Sequence, residues 1–262
     1  MFDVLVSAIT LSSIYALVAL GISLTWSTLG ILNLAHGAAF VSAGYGAWLT
    51  GQTISAHPLV IIIGGLATGA LTGVILYFLS YLPLVDKGNF ANRSLIATLA
   101  LSLFATQLYL SVFGPRVKAL PKIFPLTKLE VLGQRIGIDK IGIIITALIL
   151  LILVILFLQR SRAGLQMRAI MQNPEGASLV GINRKRLALG ILILSGIMVG
   201  LASVLLGQTF FVSPESGTQP LTKGLITAML GGLGSVPGAI VAALLVGFTE
   251  ALTVEFLGGQ YV

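Results

Sequence analysis

The sequence predicts an all-α polytopic membrane protein with about 7–8 transmembrane helices, some of them interrupted or half-length, and a short cytoplasmic helix. Three observations predict this class. Hydrophobic residues make up 56% of the 262 positions and charged residues only 9%, against about 25% charged in a soluble domain. Apolar runs recur at the length of about 20 residues that a helix needs to cross the hydrocarbon layer. Finally, the charges collect in loops, above all in one basic island, Gln159–Arg186, that holds Arg160, Arg162, Arg168, Arg184, Lys185 and Arg186 against the single acid Glu175. The net charge of +7 is that of a membrane protein with basic cytoplasmic loops rather than of a nucleic-acid binder. There is no cysteine, which excludes disulfides and cysteine-based metal or redox chemistry.

The spans follow in order. Val4–Leu24 reads as a retained span, since no basic segment precedes it and no small-residue cleavage site follows. The second region, Ser27–Thr50, is interrupted by Asn33, His36 and Gly37. The third, Leu59–Tyr81, carries Gly65, Gly69 and Gly73 at four-residue spacing, a flat stripe suited to close helix packing. Ser94–Phe113 is the fourth. Gly114–Lys140 is a polar excursion with three prolines and with Gly133 and Gly137, where a small β-like element is expected. Ile141–Leu158 is the fifth span and Leu187–Phe211 the sixth, with a Gly196/Gly200 pair. Pro220–Leu230 is about half a span; Gly231–Ala239 breaks it, and Ile240–Leu257 resumes a full one.

The two most basic loops flank one span and so lie on opposite sides. Gly114–Lys140 carries six basic and two acidic residues, the island six and one. The basic loop around Lys87 and Arg93 falls on the island's side and places the island in the cytoplasm. The 114–140 loop is then extracytoplasmic, and so is the N-terminus if the interrupted second region crosses. The outer loop's charges suit either a solvated loop or a docking surface for an acidic partner.

Irregular backbone is tolerated at membrane depth only where protein buries it or water reaches it. The breaks at Leu29–Gly37 and Gly231–Gly238, one in each half, suggest a duplicated fold with a pathway between the halves. They put Asn33, His36, Gly37, Gly231, Gly232 and Gly234 near a translocation path. The blander readings are a buried polar helix contact at Asn33 and His36, and a tight glycine turn before the last helix.

Within the island, Asn173-Pro174-Glu175 is a helix start: Asn caps, Pro suits the first turn, and Glu complements the positive helix end. Gly181 is a left-handed stop. The helix expected over Pro174–Val180 carries Ala177, Leu179 and Val180, an apolar face outside the spans that fits a partner surface or the membrane interface.

Three segments, ILNLAHGAAFVSAGYGAW, RAIMQNPEGASLVGINRKRL and LTKGLITAMLGGLGSVPGAIVAALLVGFTEAL, resemble the permease subunits of bacterial ATP-binding-cassette importers for branched-chain or neutral amino acids; the related urea and short-amide importers share the pattern. The resemblance covers nearly the whole chain and is nearer to the smaller of the family's two permeases. It implies one permease domain over residues 1–262, in the bacterial inner (plasma) membrane. It implies a coupling helix that sits in a cleft of the ATPase subunit, with Arg168, Asn173, Pro174, Glu175, Ala177, Leu179, Gly181 and Ile182 in or beside it. It also implies a second permease as heterodimer partner, two ATPase subunits that bind ATP-Mg, and a periplasmic substrate-binding protein, with no cofactor in this chain. Permeases of the family usually continue past Glu250-Ala251-Leu252 with a further apolar span and a short basic tail, so a final span is expected beyond Val262 unless the chain is naturally short.

The competing class is an ATP-independent carrier or channel. Ion-coupled carriers often place acids within their spans. Here there is none between Asp3 and Asp86 or between Glu175 and Glu215, and Glu250 is the best intramembrane candidate. Enzyme signatures are missing: there is no HExxH and no GxxxxGK[ST] in the sequence, so ATP hydrolysis is expected in separate subunits.

Overall fold

The computed structural model describes residues 2–125, 127–131 and 134–259; Gly133 lies outside them. The helices are α1 (Phe2–Leu29), α2 (His36–Thr53), α3 (Pro58–Leu76), α4 (Phe90–Phe113), α5 (Ile138–Arg160), α6 (Arg162–Gln172), α7 (Pro174–Leu179), α8 (Arg184–Leu206), α9 (Thr218–Leu230) and α10 (Val236–Phe256). A π-helical turn, Tyr77–Tyr81, prolongs α3. The excursion before α5 contains an antiparallel hairpin, β1 (Lys128–Val131) and β2 (Gln134–Gly137), with Lys128 opposite Gly137 and Val131 opposite Gln134. Among the described residues, six helices are long and apolar enough to cross a membrane: α1, α3 with its π turn, α4, α5, α8 and α10.

The core forms where α1 and α8 run through the centre. Ile14–Leu20 of α1 and Met198, Val199, Leu201 and Ala202 of α8 are all buried in one cluster. α2 is buried at every position from His36 to Ala47, as expected for a helix enclosed on all sides. Its small residues, from Gly37 to Ala47, let its neighbours approach closely. The outer helices instead show apolar side chains on the surface, such as Leu103 and Phe104 of α4 and Ile149 and Ile152 of α5. Exposed apolar faces of this extent fit lipid rather than water.

α3 and α8 meet along the glycines that the sequence marks. A Cβ on Gly69 would run into the Gly196 carbonyl, and one on Gly73 into that of Leu192; a Cβ on Gly200 would meet the Gly65 carbonyl at 2.7 Å. The two glycine sets are therefore the two sides of one seam, and backbone packs on backbone because neither helix has a side chain there.

The bundle has two distinct ends. At one, the 114–125 segment lies over the α8–α9 connection: Lys118 and Val212 exchange backbone hydrogen bonds of 2.8 and 2.9 Å, the Gln208 Oε1 accepts from the Ile123 N–H at 2.8 Å, and Lys122 donates to the Gln208 carbonyl. Lys140, at the start of α5, donates to Ser7 of α1 at 2.9 Å. At the opposite end stand the island, the α3–α4 turn and the α9–α10 turn. Lys185 pairs there with Asp86 at 2.7 Å.

Candidate functional site

The first break lies inside the bundle. α1 ends at Leu29 and Gly30 turns the chain with φ +68°. The segment then runs back beside α1, so that His36 comes level with Gly21, eight residues or about 12 Å up the helix. Non-helical backbone at that depth must find partners within the protein, and two of its N–H groups find side chains. The Leu34 N–H donates to Thr98 Oγ1 of α4 at 3.2 Å, and the Ala35 N–H to Asn33 Oδ1 at 3.0 Å. His36 Nδ1 lies 3.0 Å from the Asn33 carbonyl and Nε2 2.7 Å from Ser195 Oγ, which in turn reaches the Gly21 carbonyl at 3.0 Å. With its proton on Nδ1, a neutral imidazole donates to Asn33 and accepts from Ser195. With the proton on Nε2, it donates to Ser195, which passes a hydrogen bond on to Gly21. Either way the imidazole ties the broken segment to Ser195 of α8, and in the second form Ser195 extends the tie to Gly21 of α1; His36 and Asn33 are each 3% exposed. Gly37 packs against Gly217, where an added Cβ would come 2.9 Å from the carbonyl oxygen.

The second break is a turn at the island end. Gly232 and Gly234 take φ +83° and +98°, the left-handed region that glycine enters without strain. Gly231 packs directly on Gly238. The Gly234 N–H donates to Ser23 of α1 at 2.7 Å, and Ser235 caps α10 by accepting from the Gly238 N–H at 3.1 Å.

None of these six path residues lines the most voluminous of the described cavities. That cavity, about 760 Å³, opens at the end opposite the island, under the α8–α9 connection, and is bordered by α1, α2, α8, α9 and α10. Its charged members are Glu215, exposed on the α8–α9 connection, and Lys223 of α9 and Glu250 of α10, the last two joined by an ion pair of 2.6 Å with side chains only 17% and 12% exposed. Tyr15 of α1 donates its hydroxyl to the second Glu250 oxygen at 2.7 Å, and the Lys223 ammonium lies 5.7 Å from the Tyr15 ring centre. Sequence reasoning singled out Glu250 but missed Lys223, Tyr15, Ser195 and Thr98. Lys223 did leave a signal: it is a lone cation in an apolar half-span, and a buried cation needs an anion.

The island contains two helices, of which the sequence reading found the second. Ser161 caps α6 by accepting from the Gly164 N–H at 2.9 Å. Asn173 caps α7 with Oδ1 accepting from the N–H groups of Glu175 and Gly176 at 3.1 and 2.9 Å. α7 ends at Leu179, and Gly181 turns with φ +85°. Ala177 is buried against the core and Ile182 packs beside it, while Glu175 is exposed. Leu179 and Val180, 88% and 78% exposed, stand clear of the bundle. Arg168 faces inward, donating to the Leu158 and Gln159 carbonyls at the end of α5; there it complements the negative helix end.

An apolar-faced bundle that encloses a charged cavity has the architecture of a polytopic membrane transport protein. Comparison with known proteins gives the same class. Residues 4–261 match the family described as branched-chain amino acid transport system / permease component, and the chain belongs to that family. It is similar to the high-affinity branched-chain amino acid transport system permease protein BraD of Pseudomonas aeruginosa, 28% identical over 98% of this chain and 87% of that one. The corresponding LivH protein of Escherichia coli K12 is 28% identical over 97% and 86% of the two chains, and the probable LivH of Methanocaldococcus jannaschii 27% over 98% and 82%. The molecule is a multi-pass permease of the inner (plasma) membrane.

Proposed function

We propose that this chain is the translocating subunit of an ATP-driven importer of branched-chain or other neutral amino acids. Residues 1–262 act as one permease domain in which α1–α5, α8, α10 and the short α9 together make eight passages. The island faces the cytoplasm and the 114–140 segment the outside. A second permease pairs with it as a heterodimer, two ATPase subunits bind ATP-Mg on the cytoplasmic side, and a periplasmic protein delivers the substrate.

The observation that carries this reading is α7. Its Asn cap and Gly stop bound a short helix, rooted by Ala177 in the core, with Leu179 and Val180 almost fully exposed at its tip. An apolar tip on a buried root can transmit a push from an ATPase cleft into α6 and, through it, into α5 and α8. The alternatives, an ATP-independent carrier or channel and a urea or short-amide importer, make different demands on partners and cargo. Mild-detergent purification from native membranes, followed by mass spectrometry, tests the assembly. ATPase subunits and a second permease are expected to copurify; a chain that purifies alone and transports in liposomes without ATP contradicts the importer. Glu175→Lys should insert and assemble yet lose stimulation of ATP hydrolysis by loaded binding protein, and normal stimulation counts against the coupling role.

A further inference from the structure

We infer that the Lys223–Glu250 pair is an exchangeable ion pair that reads a zwitterion: Lys223 takes the carboxylate of an amino acid and Glu250 its ammonium group. The inference rests on the importer reading and adds the subsite and the substrate chemistry to it.

The pair is unusual for its place. Both side chains sit within apolar helices and are mostly buried. Desolvating two charges costs more than their attraction returns unless the geometry is very good, and apolar residues of similar size often do as well or better. Ionisable groups kept at membrane depth are therefore functional candidates by default. Here both border one cavity whose volume, about 760 Å³, falls within the usual range for small-molecule sites.

The geometry divides the two carboxylate oxygens. Tyr15 holds one at 2.7 Å, which fixes the carboxylate in place, and Lys223 holds the other at 2.6 Å. An ammonium group has three donors, of which the pair with Glu250 uses one. Ser203 adds an independent sign. Its Oγ is buried, has no hydrogen-bond partner among the described residues, and borders the same cavity. A buried hydroxyl without a partner calls for an explanation, and a polar ligand group supplies one. Phe40, Leu206 and Ile226 provide apolar wall for a hydrocarbon side chain.

Exchange conserves charge. In the empty state the two residues neutralise each other. When a zwitterion enters, its carboxylate takes the place of Glu250 on Lys223 and its ammonium takes the place of Lys223 on Glu250, so one pair becomes two and no charge is left alone. An uncharged amide leaves the original pair closed. A singly charged analogue satisfies one partner and strands the other, a costly state at low dielectric.

The test uses the complete importer in proteoliposomes, with leucine uptake driven by ATP and loaded binding protein, in wild type, Lys223→Met, Glu250→Gln and the double variant. Each single change strands a buried charge and should lower the yield of assembled complex. The double variant removes both charges and should recover assembly on size exclusion, while its leucine uptake per complex falls about tenfold or more, as expected for loss of a charge-assisted hydrogen bond. Wild-type uptake in the assembled double variant overturns the inference and leaves the pair a brace between α9 and α10. If the double variant fails to assemble, Lys223→Arg, which keeps the cation but displaces its donors, decides the matter. A several-fold drop in uptake at saturating binding protein is expected, and an unchanged rate overturns the inference. Absence of ATP-dependent leucine uptake in wild type would sink the importer reading itself, an outcome distinct from failure of the pair alone.

Discussion

The His36 imidazole shows how a polar residue inside a membrane bundle is kept without touching the cavity that holds Lys223 and Glu250. Its two nitrogens lie at hydrogen-bond distance from Asn33 and Ser195, and Ser195 reaches the Gly21 carbonyl. The group thus joins the broken segment to α8 and α1. Losing a buried hydrogen bond while leaving its partner unsatisfied costs about 1–3 kcal/mol. Ser195→Ala should therefore lower the melting temperature of the purified complex, with uptake per folded complex close to wild type. His36→Ala should lower folded yield more, since it removes a whole buried ring together with its hydrogen bonds. Uptake lost in either variant at normal folded yield would move His36 into the path. The sequence marked Asn33 and His36 as polar residues in an apolar region, and both readings of them were open there. It could not choose, because the partners Ser195 (to His36) and Thr98 (to the Leu34 N–H) lie 159 and 64 positions away and are ordinary hydroxyl residues in their own helices.

At the scale of the element, glycine spacing was fully readable and pairing was not. The Gly65/Gly69/Gly73 stripe and the Gly196/Gly200 pair each announce close packing, but nothing in either segment says that they pack on each other. Because a Cβ on Gly69 would collide with backbone that cannot move aside, Gly69→Val should abolish recovery of folded protein. Gly190→Ala, on α8 where an added methyl meets nothing within 4 Å, should leave yield unchanged. Equal yields of the two variants would contradict the seam. α7 was readable because its signals are local: an Asn cap, Pro in the first turn and a left-handed Gly. α6 was missed because its opening cap, Ser161, sits among arginines without a Pro or Glu to mark a start. Leu179 makes a further test. Its exposure predicts that Leu179→Asp changes stability by no more than about 0.5 kcal/mol, while stimulation of ATP hydrolysis by loaded binding protein falls sharply. A variant that stays fully stimulated would point to the membrane interface as the surface α7 meets.

Across the whole molecule, the six long apolar helices and the interrupted second region follow from composition and span length. The cavity that holds Lys223 and Glu250 does not, for it is a product of long-range packing. Lys223 and Glu250 are 27 positions apart, with Tyr15 more than 200 positions earlier, and only the return of α10 alongside α1 brings them together. The outer segment has a similar history. Lys118 lies over the Trp48 ring at 5.1 Å, and Lys122 and Lys140 are held by Gln208 and Ser7. Half of its six basic residues thus tie the segment to the bundle. The resulting arrangement places a charged cavity at one end and a short apolar-tipped helix at the other, and the account holds that ATP consumed at the second end drives amino acids through the first. The most direct test is uptake of labelled leucine into proteoliposomes that contain the complete complex, with ATP and binding protein supplied on opposite sides. The account predicts uptake only when ATP is on the α7 side and loaded binding protein on the cavity side. Uptake that proceeds without ATP, or with the two sides reversed, would contradict it.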